Sequence, residues 1–312
     1  MRQYYKHLLL VSLFATQKVC ADEAGVGFWL PGNFGSFAAA PSDAGWALPL
    51  IYYYGDAAES ASTTFLRGGR LVAGVEATSN LVFAAPTYTF AEPIAGGQAA
   101  VSVAIAFGEV KAGIEATFSG AAGDIFSGAE NDSRTGVSDL YPTASLKWNK
   151  EIHNYMVYAS AGVPIGAYDK DRLANLGTNH WAFDVGSGYT YFDKKNELSV
   201  VLGFTYNLEN PDTNYKNGVD AHIDWAASHF FSPRFHAGLV GYVYHQISGD
   251  SGSGAILGDF KSAVSGIGPQ AGWFLENESY INLKAYYEFE ARNRPDGWNL
   301  WLTLAIPFSD TK

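Results

Sequence analysis

Hydrophobic residues make up 47% of this 312-residue chain and aromatics 15%, while charged residues reach only 16%, well below the roughly one quarter usual in a soluble domain. The net charge is −11 and no basic patch stands out, which excludes the cationic face that nucleic acid requires. The single Cys is at position 20, so disulfides and thiolate chemistry are excluded once the leader is removed.

That leader comes first along the chain. MRQYYKH is the positive start, LLLVSLFA the short apolar stretch, and Val19, Cys20 and Ala21 form the small-residue end of a signal peptide. The signal is predicted over 1–21, with the mature chain starting at Asp22. Gln17 stands where a lipoprotein signal carries a Leu-like residue, which argues against acylation of Cys20. Cleavage removes Arg2, Lys6 and Lys18 from 20 basic residues and none of the 31 acidic ones, taking the net charge from −11 to −14.

Residues 22–44 are rich in Gly and Ala yet carry Phe28, Trp29, Leu30, Phe34 and Phe37. A disordered linker rarely holds so many large apolar groups. Two readings stand side by side: a plug or hatch folded into the following domain, with Phe28, Trp29, Phe34 and Phe37 as its anchors, or a loosely packed periplasmic extension.

From residue 45 onward the pattern is period two, the mark of strands with one apolar and one polar face. No later segment offers the run of about 18 apolar residues that a membrane helix needs. Leu198, Val200, Leu202, Phe204 and Tyr206 alternate with Ser199, Val201, Gly203, Thr205 and Asn207. Fourteen strands are predicted: 45–55, 69–77, 81–91, 98–107, 110–119, 138–148, 154–166, 181–192, 197–207, 219–230, 234–247, 259–274, 279–290 and 298–308. Without the hairpin over 71–90 the count is 12. Long polar or Gly-rich connections at 56–68, 92–97, 120–137, 167–180, 208–218, 248–258 and 291–297 alternate with short ones at 78–80, 108–109, 149–153, 193–196, 231–233 and 276–279. Long loops at one end and short turns at the other, with an even strand number, describe an all-β, antiparallel transmembrane barrel of the bacterial outer membrane. The barrel spans 45–308, a tail covers 309–312, and both termini are expected in the periplasm.

The final strand shows the logic most plainly. Trp298, Leu300, Leu302, Leu304, Ile306 and Phe308 form one apolar row, which a strand can point at hydrocarbon only if every backbone group is paired within a closed barrel. Phe308 near the end resembles the aromatic signal read by barrel assembly machinery, although Ser309 to Lys312 follow it. Trp46, Trp148, Trp181, Trp273 and Trp298 fall near predicted strand ends, as interfacial girdles do. The opposite rows are predicted to line the lumen: Arg70, Glu76, Lys147, Asp184, Asp220, His222, Asp224, Arg234, His236, Tyr242, Tyr244, Lys284, Tyr286 and Glu288. A wall that mixes charges with tyrosines suits a modestly polar, aromatic solute better than a bare ion.

Enzyme and metal readings are weaker. Gly249, Asp250, Ser251 and Gly252 look like a protease nucleophile segment, yet no second motif supplies a base and an oxyanion hole. The His-Ser-Asn-Gly neighbourhood of a barrel phospholipase is missing. Asp220, His222 and Asp224 share a strand face and could chelate a metal, but no further ligands are placed by the sequence. No catalytic residue, metal or cofactor is therefore predicted.

Three stretches carry a family resemblance: GFWLPGNFGSFA, LANLGTNHWAFDVGSGYTYFD, and the long run from LENPDTNYKNG to SGIGPQ. They resemble the bacterial family named for the meta-pathway of phenol degradation, over most of the mature chain and most densely from Leu173 to Gln270. That family looks distantly similar to the long-chain fatty-acid transporters, which have 14 strands and an N-terminal hatch. The resemblance implies an outer-membrane channel or diffusion transporter for small hydrophobic, aromatic compounds. Outer-membrane lipid, lipopolysaccharide, assembly machinery and the solute are its implied partners. The alternatives are a non-transporting barrel with an adhesive or architectural role and an exported soluble β protein.

Overall fold

The computed structural model describes residues 27–58, 64–67, 70–73, 75–119, 125–256 and 261–308. The predicted signal, residues 22–26, the side chain of Arg70 and the tail 309–312 lie outside the described residues. Along the chain come β1 (Gly45–Ala58), β2 (Thr64–Arg67), β3 (Arg70–Ala73), β4 (Val75–Ala84), β5 (Thr87–Thr89), β6 (Gln98–Ser119), β7 (Ile125–Lys150) and β8 (His153–Gly162). There follow β9 (Ala182–Phe192), β10 (Asn196–Asn207), β11 (Asp220–Ser232), β12 (Phe235–Gln246), β13 (Ala263–Phe274), β14 (Tyr280–Arg292) and β15 (Asp296–Pro307). No helix occurs among the described residues.

Neighbouring strands pair antiparallel in chain order, and β15 returns to β1, with Ala47 opposite Pro307 and Ala58 opposite Asp296. The sheet is thereby closed into a barrel of twelve strands, β1, β4 and β6 to β15. β5 continues β4 beyond Ala85 and Pro86 and pairs with both β1 and β6. The break falls there because proline has no N–H to give the ladder. The short β2–β3 hairpin rises from the loop between β1 and β4.

Of the two counts the sequence allowed, fourteen and twelve, the barrel has twelve, reached by two mergers. The predicted turns at 78–80 and 108–109 are both inside strands, where they face each other: Asn80 pairs with Glu109 and Leu81 with Gly108. Their polarity marks ladder that extends beyond the apolar belt, not chain reversal. The connection at 92–97, expected among the long loops, lies at the short-turn end, where Ile94 and Gly97 close it. At that same end Asp193 accepts the Lys195 and Asn196 N–H groups at 2.9 and 2.6 Å, with the Asn196 bond the stronger influence. These bonds hold its carboxyl down at about 2 and tie the 193–195 turn.

The closed ladder decides what each row faces. On β10, Leu198, Val200, Leu202, Phe204 and Tyr206 are exposed, while Ser199, Val201, Thr205 and Asn207 are buried. A soluble sandwich would bury the apolar row against a second sheet; here the polar row is inside. Trp46 and Trp273 project outward at the short-turn end, and Trp181 and Trp298 at the other, as two interfacial belts. Leu202 lies midway between them, so Leu202→Arg is expected to cost about 2–4 kcal/mol. Urea titration of folding into lipid vesicles measures it, and a cost under about 0.5 kcal/mol would place Leu202 away from hydrocarbon.

Candidate functional site

The barrel interior is occupied. Residues 27–43 descend through it from Trp29 to the start of β1, meeting inward side chains of most strands on the way. Trp29 stacks on His222, ring centroids 3.6 Å apart and planes 18° from parallel. Below it, Asp224 accepts the Gly32 N–H at 3.0 Å and the Phe34 N–H at 3.2 Å. Lys284 Nζ donates to the carbonyls of Gly32, Asn33 and Phe34 at 2.5, 3.2 and 3.3 Å. One acid takes the segment's N–H groups and one base its C=O groups, which meets the demand that buried backbone be paired. Gly32 sits at φ +85°, and a Cβ there would lie 2.9 Å from the Tyr286 ring, so this turn needs glycine.

Further down, Glu197 accepts the Phe37 N–H at 3.1 Å and the Ser36 hydroxyl at 2.7 Å. Thr190 accepts the Ala39 N–H at 3.1 Å, and Lys147 donates to the Ala40 carbonyl at 3.1 Å. Gln98 takes the Ser42 N–H at 2.9 Å as the segment reaches the mouth. Space for this segment comes from small inward residues. Ala226 and Ser228 are buried on β11, and a Cβ on Gly266 would lie 2.3 Å from the Tyr242 ring.

The opposite end is roofed by the loop between β8 and β9. Leu173, Ala174, Asn175, Leu176, Thr178 and His180 are buried there. Asp139 accepts the N–H groups of Gly166 and Thr178, both at 2.8 Å. Asp132 binds Arg172 in a two-pronged pair and also takes the Leu173 and Ala174 N–H groups. Leu176 packs with Leu81, Phe83, Ala106 and Val110, and Leu30 of the descending segment joins them. Roof and segment therefore share one apolar contact inside the barrel.

Most predicted lumenal residues face inward: Lys147, Asp184, Asp220, His222, Asp224, His236, Tyr242, Tyr244, Lys284, Tyr286 and Glu288. Asp184 accepts from Thr205 at 2.6 Å and lies 3.1 Å from His222. Glu288 accepts the Tyr242 hydroxyl at 2.7 Å. Asp220, His222 and Asp224 do share a face, but their partners are Asn207, Asp184 and the descending backbone respectively. In the run 249–252 that looks like a protease nucleophile segment, Asp250 accepts from Tyr215, Gly218 and Gln246 and so knits two loops together.

Two predictions are corrected. Glu76 points outward, because the inward row of β4 is Val75, Ala77, Ser79, Leu81 and Phe83. In this sector the interior is apolar, to receive Leu30 and Leu176, and the outer face beyond the belt is polar, so polarity alone inverts the rows. Arg234 lies in the turn between β11 and β12, exposed and paired with Glu276 at 3.0 Å. The candidate list lacked Glu197, Gln270, Asn299 and Trp301, all buried. Glu197 lies in phase with Ser199, opposite the apolar row of β10, and Trp301 lies opposite the apolar row Trp298 to Phe308, so parity was the available signal. Asp132 and Asp139 had none, since their partners are more than twenty residues away in a loop.

A search of curated protein sequences finds no match. Among solved structures, the COG4313 outer membrane channel from Pseudomonas putida F1 superposes with a TM-score of 0.70 at 17% identity, covering 87% of this chain and 98% of that one. That likeness is one of fold. A FadL homologue from Pseudomonas aeruginosa aligns over 93% of this chain and 97% of its own, at 10% identity and a TM-score of 0.44. The family model described as "Putative MetA-pathway of phenol degradation" matches residues 60–304, and the chain belongs to that family.

Proposed function

We propose that this protein is a gated passive channel of the bacterial outer membrane that admits small hydrophobic compounds, aromatic ones included, with both barrel ends of the chain on the periplasmic side. The observation that carries this reading is the manner in which the lumen is closed. Residues 27–43 are held by hydrogen bonds between their backbone and single inward side chains, contacts worth about 1 kcal/mol each, or somewhat more with charged groups. Such a segment can be released without opening the barrel ladder. A wall of tyrosine, histidine and amide groups offers a ring both stacking surface and hydrogen-bond partners. The long loops would receive the solute, and movement of the N-terminal segment would release it. Lipopolysaccharide around the outer belt and the barrel assembly machinery reading Phe308 are the other partners on this view.

The test is uptake of a radiolabelled monocyclic aromatic such as benzoate by bacteria lacking their general porins, with heat-shifted gel migration confirming a folded barrel. Saturable uptake above the empty-vector rate, competed by unlabelled solute, is expected. A folded barrel with no such uptake would overturn the channel reading and leave an architectural role.

A further inference from the structure

Among the described residues Phe37 has the most crowded aromatic surroundings. Five rings meet it: Phe192 at 5.1 Å, His236 at 5.6 Å, Phe230 and Phe274 at 5.9 Å, and Tyr280 at 6.4 Å between centroids. All five are edge-on, with planes 71° to 87° apart. They come from β9, β11, β12, β13 and β14 at the short-turn end, so the barrel wall itself makes a box around one ring. Edge-to-face contact at these distances is the favoured aromatic geometry and adds stabilisation beyond buried area.

The ring inside the box is held there against backbone preference. Phe37 has φ +64°, a left-handed conformation that a bulky residue adopts only when its surroundings impose it. The imposing contacts are Glu197 on the Phe37 N–H and Thr190 on the Ala39 N–H. Two observations point beyond simple packing. His236 is fully buried with Nδ1 unpartnered, although Nε2 lies 2.8 Å from the Tyr280 hydroxyl. A 580 Å³ cavity adjoins the box, lined by Phe37, Phe192, Phe274 and Tyr280 on one side and by Lys147 and Asn154 on another. It could hold a ring with a polar substituent, and it borders the segment whose release opens the lumen.

We infer that this box is a binding site for a monocyclic aromatic compound, and that Phe37 is its resident stand-in, displaced when solute enters. The inference rests on the channel reading and gives it a substrate class: one six-membered aromatic ring carrying a small polar group. Solute and Phe37 compete for one place, so occupancy by solute and seating of the N-terminal segment exclude each other.

Phe37→Gly is the informative variant, because glycine keeps the left-handed backbone without strain and removes the ring. Phenol and cyclohexanol, alike in size and hydroxyl, are titrated by calorimetry into the detergent-folded full chain, its fold checked by heat-shifted migration. Phenol is expected to bind Phe37→Gly about tenfold more tightly than wild type, and about tenfold more tightly than cyclohexanol binds the same variant. Adding Phe274→Ala is expected to abolish the preference for phenol. Equal binding of the two alcohols, or no phenol binding by a folded Phe37→Gly barrel, would overturn the proposal. Saturable benzoate uptake by the wild type would then leave the channel reading standing, whereas phenol binding without uptake would leave the site and remove the channel.

Discussion

Deleting residues 22–43 is expected to raise the single-channel conductance of the reconstituted barrel by about tenfold, because a twelve-stranded wall is wider than the eight-stranded one that side chains alone can fill. In the intact chain the central space is taken by Trp29, Phe34 and Phe37 together with their backbone. Their removal leaves inward small residues such as Ala226 and Ser228 facing a vacated lumen. The barrel should survive the deletion, since its ladder closes between β1 and β15 without help from the segment. Retained heat-shifted migration provides that control. The roof loop is the competing closure, as its Leu176 and Ala167 pack into the same interior cluster. A folded deletion variant with unchanged conductance would assign closure to the roof and remove the plug from the account.

The second large effect is expected at Asp224 and Lys284. Both are buried, and they grip one turn of the segment, the acid through the Gly32 and Phe34 N–H groups and the base through the Gly32, Asn33 and Phe34 carbonyls. Lys284 also lies 4.9 Å from the Trp301 ring, which gives its charge a further favourable neighbour. Replacing either one leaves the other charge buried without its counterpart, a loss of about 3 kcal/mol. Asp224→Leu and Lys284→Met are therefore each expected to shift the balance between seated and released segment by about a hundredfold, read as the fraction of open time in planar bilayers. The double variant removes both charges, so its effect should fall short of the sum by about 1 kcal/mol or more. Additive effects would show that the two charges act independently, and wild-type open times in the single variants would show that the segment is not held at this point.

The two experiments read different things. Deletion asks whether the segment fills the lumen, and the charge variants ask what keeps it seated. Phe37→Gly separates both from ligand recognition, because Asp224 and Lys284 contact residues 32–34 and not the aromatic box.

What the sequence by itself determined is the barrel, its belts and the sense of most rows. Period-two alternation is a local property, and a closed sheet in lipid has one way to satisfy it: apolar rows outward and polar rows inward. That is why Asp224, His222, Lys284 and Tyr286 could be placed from their spacing, as could the aromatic character of residues 28–37. Tertiary structure alone decided the strand number, since whether residues 78–80 turn or continue depends on what lies opposite, and Lys111, Val110 and Glu109 do. It also decided the facing of Glu76, because an interior packed by Leu30 and Leu176 reverses the polarity rule in one sector. The seating of residues 27–43 in the barrel and the box around Phe37 belong to the same class. They are made by residues up to 254 positions apart that only ring closure brings together, and no window along the chain contains both the segment and its wall.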